Sequence, residues 1–143
     1  MRRLVFNASE VEGFSPSEAQ GAFVSRMLVD QESVGSHRLV MNHFTLKPGK
    51  STGAGSHPAP FDEIYYLLHG VGVVYLGPEH EPHDIRPDSY VFIPAGTIHF
   101  LTNTGETDLE MITLMPGPMA AGANPLYDER KQAWGTSFKL KQS

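Results

Sequence analysis

The sequence has 143 residues, of which 40% are hydrophobic and 19% are charged, and its formal net charge at pH 7 is −5. These values describe one globular domain rather than a disordered chain, and the negative charge argues against a nucleic-acid partner, which would need a basic face for the phosphates. Apolar runs are too short to span a membrane, and the absence of cysteine excludes disulfides and thiolate metal sites. We therefore expect a single domain over residues 1–143, located in the cytoplasm and without a nucleic-acid or membrane partner.

Short runs of β-branched and aromatic residues, separated by 14 glycines and 11 prolines, predict a mostly β chain. The predicted strands cover residues 4–6, 23–28, 38–46, 63–68, 71–76, 89–93, 98–102 and 109–115. One helical turn is predicted near Ser15–Glu18, and residues 30–36 and the polar residues 77–86 are predicted as loops. A turn at His69–Gly70 predicts that the two strands around it form a β-hairpin.

The composition changes after Pro116, so we divide the chain into a core at residues 38–115 and an extension at residues 116–143. Asn124 and Pro125 favour the start of a short helix that reaches Trp134. Alternating residues over 136–141 predict an edge strand. The sequence leaves open whether this extension packs on its own core or on a second subunit.

Strand periodicity predicts which side chains share a face. In the run 38–46, every second residue from Val40 onward is apolar except Asn42, so this set is expected to face the interior while His43 points outward. In the run 63–68, the same period puts Glu63 and Tyr65 on one face. The residues that we predict to line an interior pocket are Asn42, Phe44, Tyr65, Leu67 and Leu101.

Two histidines and one carboxylate adjoin these predicted strands. His57 and Glu63 lie before and at the start of the run 63–68, and His99 follows the turn Pro94–Gly96. Neutral imidazole and carboxylate groups suit divalent zinc, manganese, iron and nickel. The sequence therefore predicts one divalent metal ion inside a β-barrel, and it leaves the identity of the ion open.

The block that ends at Asn103 resembles the second sequence motif of the cupin superfamily, G-x5-P-x-G-x2-H-x3-N. It matches from Pro94 through Gly96 and His99 to Asn103 at every spacing, and only the leading glycine is replaced, by Asp88.

The first cupin motif, G-x5-H-x-H-x3,4-E-x6-G, is matched at Gly49, Glu63 and Gly70. Counting forward from the first glycine puts the two histidine positions at residues 55 and 57, and counting back from the glutamate puts them at residues 57 and 59. Position 55 is glycine and position 59 is alanine, so one of the family's two neighbouring histidines is missing in either register.

This resemblance implies a single cupin domain, a double-stranded β-helix or jelly-roll barrel, here followed by the short C-terminal helix and strand. It implies metal ligation by His57, Glu63 and His99, and a small-molecule substrate. The favoured function is a metal-dependent enzyme that acts on an oxygen-rich metabolite by isomerase, epimerase or lyase chemistry through a metal-stabilised enolate or enediolate. Tyr65 is the candidate catalytic residue for proton transfer.

Three other functions remain open at this stage. The same site could hold Fe(II) in a dioxygenase, or the missing histidine could mark an eroded metal site in a non-catalytic cupin that binds a sugar or metabolite. A metal-free epimerase could use a histidine–carboxylate pair for proton transfer.

A homodimer is the expected assembly, because cupins are usually dimeric. Exposed aromatic side chains in the extension would be consistent with such a contact, and the candidates are Tyr127, Trp134 and Phe138.

Overall fold

The computed structural model describes residues 2–142, which form eight strands, two short α-helices and two single turns of 3₁₀ helix. The strands are β1 Phe23–Val29, β2 Leu39–Leu46, β3 Glu63–His69, β4 Gly72–Leu76, β5 Glu81–Ile85, β6 Tyr90–Ile93, β7 His99–Asn103 and β8 Leu109–Pro116. The helices are α1 Gln31–Val34 and α2 Pro125–Trp134, and the 3₁₀ turns are Ala8–Glu10 and Ser17–Ala19. In this part of the chain, neither α-helix has the length and hydrophobicity that crossing a bilayer requires.

The strands form two antiparallel sheets that enclose a shared core. The larger sheet has the order β1-β2-β8-β3-β6, and the smaller has the order β5-β4-β7. Inward side chains of both sheets pack together in the main core: Phe44, Leu46, Tyr65, Leu67, Val74, Ile85, Ile93, Leu101, Leu109 and Met111. The alternation predicted for β2 is confirmed, since its buried residues are Val40, Asn42, Phe44 and Leu46. The predicted jelly-roll barrel is thereby confirmed.

The β-hairpin predicted around His69–Gly70 is wrong. β3 pairs with β6 on one edge and β8 on the other, so no edge is left for β4, which pairs with β5 and β7 instead. The chain therefore crosses from one sheet to the other at Gly70. That crossing requires glycine, because Gly70 has φ of +87° and an added Cβ would lie 2.8 Å from the carbonyl oxygen of Asp108.

Three other local predictions are corrected. The predicted loop 77–86 contains β5, an edge strand whose first four residues are exposed, which explains its polar composition. The predicted loop 30–36 contains α1, which is capped by Asp30. No strand forms at residues 4–6, where Leu4 and Val5 are exposed.

The C-terminal extension packs on its own barrel. Asn124 caps α2 by accepting from the backbone of Leu126 and Tyr127, as predicted. The apolar contacts of the extension join a second buried cluster: Met27, Val40, Phe61, Met115 and Ala123, with Met119, Tyr127 and Phe138 packed against it. The aromatic residues expected to be exposed, among them Trp134, are therefore half-buried. The strand expected at 136–141 is reduced to one bridge between Leu140 and Val11.

Candidate metal centre and its cavity

A cavity of about 590 Å³ lies against the inner face of the larger sheet. Side chains of β1, β2, β3 and β8 line one side, and the loop 51–57 and residues 124–130 of the extension contribute to the rest of the wall. Cavities of this volume hold small organic molecules. The extension therefore helps to build the cavity that contains His57, Glu63 and His99.

The three predicted metal ligands meet at this cavity, and we call them the His–Glu–His triad. Glu63 is the first residue of β3 and His99 the first of β7, while His57 comes from the loop that precedes β3. The Nε2 atoms of both histidines lie 3.3 Å from Oε1 of Glu63. The three candidate ligand atoms all lie within 4.8 Å of one another.

Hydrogen bonds to backbone carbonyls fix the orientation of both imidazoles. Nδ1 of His57 lies 2.9 Å from the carbonyl oxygen of Ala123, and Nδ1 of His99 lies 2.9 Å from that of Thr97. Because a carbonyl only accepts, each Nδ1 carries a proton, and a ring in its neutral form keeps its lone pair on Nε2. Such outer hydrogen bonds orient histidine ligands in known metal sites. The extension again takes part, through Ala123.

Glu63 supplies the charge of the triad. Its side chain is 7% exposed, and Oε1 has no hydrogen-bond partner although two Nε2 atoms lie 3.3 Å away. Burial acts to raise the pKa of Glu63, but the hydrogen bonds and positive charge that His57 and His99 supply in their protonated forms outweigh burial and hold that pKa below its usual value. Glu63 in turn raises the pKa of His57 against the effect of burial. A carboxylate that faces two lone pairs requires a cation, either a proton on one imidazole or a metal ion.

The donor set fits a divalent metal ion. Two imidazole nitrogens and one carboxylate oxygen are ligands that zinc, manganese, iron and nickel accept, and three protein ligands leave positions for water or substrate. The unpartnered Oε1 of Glu63 is the atom that such an ion would satisfy.

The sequence of the same region identifies the family. The family model of the cupin domain matches residues 42–115, which include the whole triad. This chain is a cupin.

Known proteins resemble this cupin in sequence and in fold. An oxalate-binding protein of Thermotoga maritima is 33% identical over 88 residues, which cover 62% of this chain and 70% of that protein. A crystal structure from the same organism, described as a predicted oxalate decarboxylase, has a TM-score of 0.68 at 28% identity and covers 78% of this chain and 97% of its own. The polyketide cyclase RemF from Streptomyces resistomycificus shares the fold with a TM-score of 0.69 at 20% identity, over 90% of this cupin and 97% of RemF.

The structure distinguishes between positions 55 and 59 as the place of the missing histidine. Gly55 lines the cavity and forms an antiparallel bridge with His99, whereas Ala59 does neither. A Cβ atom at Gly55 would meet no atom within 4 Å. Position 55 is therefore where a second neighbouring histidine would face the site, and in this cupin it leaves open space.

Tyr65 lies directly beside the triad. Its ring packs edge-on against His99, with 6.0 Å between ring centroids, and it lines the cavity. Burial first, and the charge of Glu63 second, raise the pKa of Tyr65 well above its usual value. The phenol thus keeps its proton at neutral pH, so it can donate a hydrogen bond but cannot act as a base.

The other predicted pocket residues separate into two groups. Asn42 and Phe44 line the cavity together with Tyr65. Leu67 and Leu101 do not line it; they pack in the main core, because the cavity occupies only one end of the barrel and their strands continue beyond it.

Sequence reasoning missed several cavity residues. Thr113 follows from the alternation of β8, but nothing in the sequence distinguishes Ser25 of β1 or Arg130 of α2. An arginine in a short polar helix is ordinarily predicted at the surface. Arg130 is instead 1% exposed.

Proposed function

We propose that this cupin is a metal-dependent enzyme that acts on a small oxygen-rich metabolite by isomerase, epimerase or lyase chemistry. The observation that carries the proposal is the convergence of two imidazole lone pairs and an unpartnered carboxylate at a cavity of about 590 Å³. His57, Glu63 and His99 would hold the ion, which when bound supplies a Lewis acid for a substrate oxygen.

The surrounding residues have separate roles in this proposal. The carbonyls of Thr97 and Ala123 keep both Nε2 atoms directed at one point. Tyr65 donates its phenolic proton in a hydrogen bond to a substrate oxygen beside His99, since its raised pKa keeps the hydroxyl protonated. Phe44 gives an apolar wall that excludes water and strengthens these polar interactions.

Metal removal and return test this proposal. We expect the purified protein to contain one divalent ion per chain, and we expect chelation to remove turnover and lower the thermal midpoint. Mn²⁺, Zn²⁺, Fe²⁺ and Ni²⁺ are then added one at a time. The correct ion should restore both the turnover and the thermal midpoint. At a free concentration 100 times the Kd, binding adds about 2.7 kcal/mol to the free energy of unfolding. Elemental analysis and thermal melts are the measurements. Purified protein without a metal ion, whose midpoint none of the four ions changes, would contradict the proposal.

A second candidate is a non-catalytic binding protein for a small metabolite. The observation that favours it is the 33% identity to an oxalate-binding protein, together with the glycine at position 55. Calorimetry with oxalate, followed by NMR of the recovered ligand, separates the two: binding with unchanged ligand supports the binding protein. Oxygen consumption by an iron-containing sample would support the dioxygenase instead.

We also propose a homodimer formed through the outer face of the larger sheet. Large apolar side chains are exposed on that face: Leu39, Tyr66, Leu68, Tyr90, Phe92 and Leu114. They form a continuous surface because Ile64 of β3 pairs with Phe92 of β6 and with Leu114 of β8. A patch of this kind is typical of a protein–protein contact.

Substitution in this patch tests the dimer. We expect Phe92→Glu to convert a dimer into a monomer, because a buried unpaired carboxylate opposes association. Light scattering during gel filtration gives the mass. Val5→Glu is the control, since Val5 is exposed but lies outside the sheet. A monomeric wild-type protein, or a Phe92→Glu variant that stays dimeric, would contradict the proposed contact.

A further inference from the structure

Arg130 places a buried guanidinium in the wall of the cavity. The residue belongs to α2, outside the family-matched residues 42–115, and its side chain is 1% exposed. Nη2 donates to Oγ of Ser25 at 2.8 Å, but Nε and Nη1 are buried without any hydrogen-bond partner. Guanidinium has five N–H donors and no acceptor. Most of this donor capacity is therefore unused within the described chain.

Within residues 2–142 no carboxylate forms an ion pair with Arg130. Burial lowers the pKa of Arg130 to about 10, and the nearby charge of Asp30 acts to raise that pKa. Arg130 is therefore charged at neutral pH. The oxygens of Asp30 are already engaged: Oδ1 accepts from the backbone of Ser33, and Oδ2 accepts from the hydroxyls of Tyr127 and Ser137. Asp30 therefore offsets part of the guanidinium charge without bonding to it, and the unpartnered N–H donors of Arg130 remain for an acceptor that a ligand supplies.

A row of polar side chains leads from the triad toward Arg130 along the sheet. Tyr65 of β3 pairs with Thr113 of β8, which pairs with Asn42 of β2, and all three line the cavity. Asn42 is also buried with an unpartnered Oδ1. The next strand, β1, carries Ser25, to which Arg130 is bonded.

The unsatisfied polar atoms of residues 2–142 concentrate on this cavity. Five buried side-chain atoms lack a partner, and four belong to the cavity residues Asn42, Glu63 and Arg130. The fifth is Nδ1 of His43, which is on the opposite face of β2. Buried polar groups are ordinarily hydrogen-bonded, so such a concentration indicates a site built for a ligand that completes the bonds.

We propose that Arg130 is the anion-binding residue of this cavity and that the natural ligand carries a carboxylate, held by the guanidinium while another oxygen of the ligand reaches the His–Glu–His triad. One guanidinium balances one negative charge and matches the planar geometry of a carboxylate. The side chains between the polar groups include Phe23, Phe44 and Met111, which favour an apolar or aromatic body for the ligand. This inference deepens the proposed function, because it names the ligand class of the same cavity.

Benzoate and benzamide are matched probes, since they differ mainly in charge. Their affinities for the full chain should be measured by calorimetry, first as purified and then after chelation, which removes any coordination of benzoate to a metal ion. We expect benzoate to bind at least about tenfold more tightly than benzamide in both samples, because a charge-assisted hydrogen bond contributes an affinity difference of that size.

The substitution Arg130→Met should remove this preference, and Arg130→Lys should keep part of it. Arg26→Met is the matched control, because Arg26 is on the outward face of β1 next to Ser25 and should keep the full preference. An unchanged ratio in folded Arg130→Met, or a wild-type protein that does not discriminate, would overturn the inference.

A measurement on the wild-type protein does not depend on the folding of any variant. The Nε–H resonance of Arg130 in an NMR spectrum should shift on addition of benzoate and stay in place with benzamide, and a resonance that ignores both probes would overturn the inference. The metal content of the same samples is measured separately. Purified protein that contains no metal, whose thermal midpoint none of the four ions changes and which keeps the benzoate preference, would reject the proposed enzyme while leaving Arg130 as the anion site.

Discussion

The Glu63→Gln substitution is expected to abolish metal binding and turnover. Glu63 is the only anionic member of the triad, and glutamine keeps its shape while removing its charge. Removing a group that only hydrogen-bonds to a metal ligand weakens metal affinity by about 10- to 100-fold. Removing the charged ligand itself should therefore weaken metal affinity by at least about 100-fold. Elemental analysis of the purified variant, and an assay of the reaction with added metal, are the measurements.

The same substitution should lower the stability of the metal-free protein at neutral pH. The two histidines hold the pKa of Glu63 below its usual value, so folding favours its charged form, and glutamine loses this interaction. Thermal melts in chelator at pH 7 should therefore give a lower midpoint than that of the wild type, whereas added metal should raise only the wild-type midpoint.

A matched control is available on the other face of β2. Glu110 lies 3.3 Å from Nε2 of His43, so it forms a similar histidine–carboxylate pair outside the cavity. Glu110→Gln should keep full metal content and turnover. Metal retained at wild-type affinity by Glu63→Gln would exclude the triad as the metal centre.

The Asn103→Ala substitution should lower the free energy of unfolding by about 3 kcal/mol, because buried groups that lose a hydrogen-bond partner cost about 1–3 kcal/mol. Asn103 is fully buried. Its Nδ2 donates to the carbonyl oxygens of Leu46 and Thr107, and its Oδ1 accepts from the backbone of Gly105, each at 2.9 Å. The side chain thus joins β7 to the end of β2 and closes the turn before β8.

Urea denaturation of the metal-free protein measures this effect without interference from the metal site. Thr104→Ala is the control, since Thr104 is an exposed residue of the same turn and should change stability by less than about 0.5 kcal/mol. Equal stability of the two variants would show that the hydrogen bonds of Asn103 are not what holds the turn.

The order of strands was harder to predict than their positions. Alternation identified β2 and β3 and the side chains that they bury, because period two is a local property. The hairpin expected at Gly70 did not form, since both edges of β3 are taken by strands that are distant in sequence. β5 was missed because an exposed edge strand has no apolar alternation.

The motif spacing around Glu63 and His99 was enough to predict the family and to group the three residues of the triad, because a motif is a local pattern along the chain. The same spacing predicted that one histidine is missing. Tertiary contacts were needed to show that the missing position is Gly55, that Leu67 and Leu101 belong to the core, and that Arg130 lines the cavity. Burial of a polar side chain depends on what packs over it, and here α2 reaches the barrel from beyond the motifs.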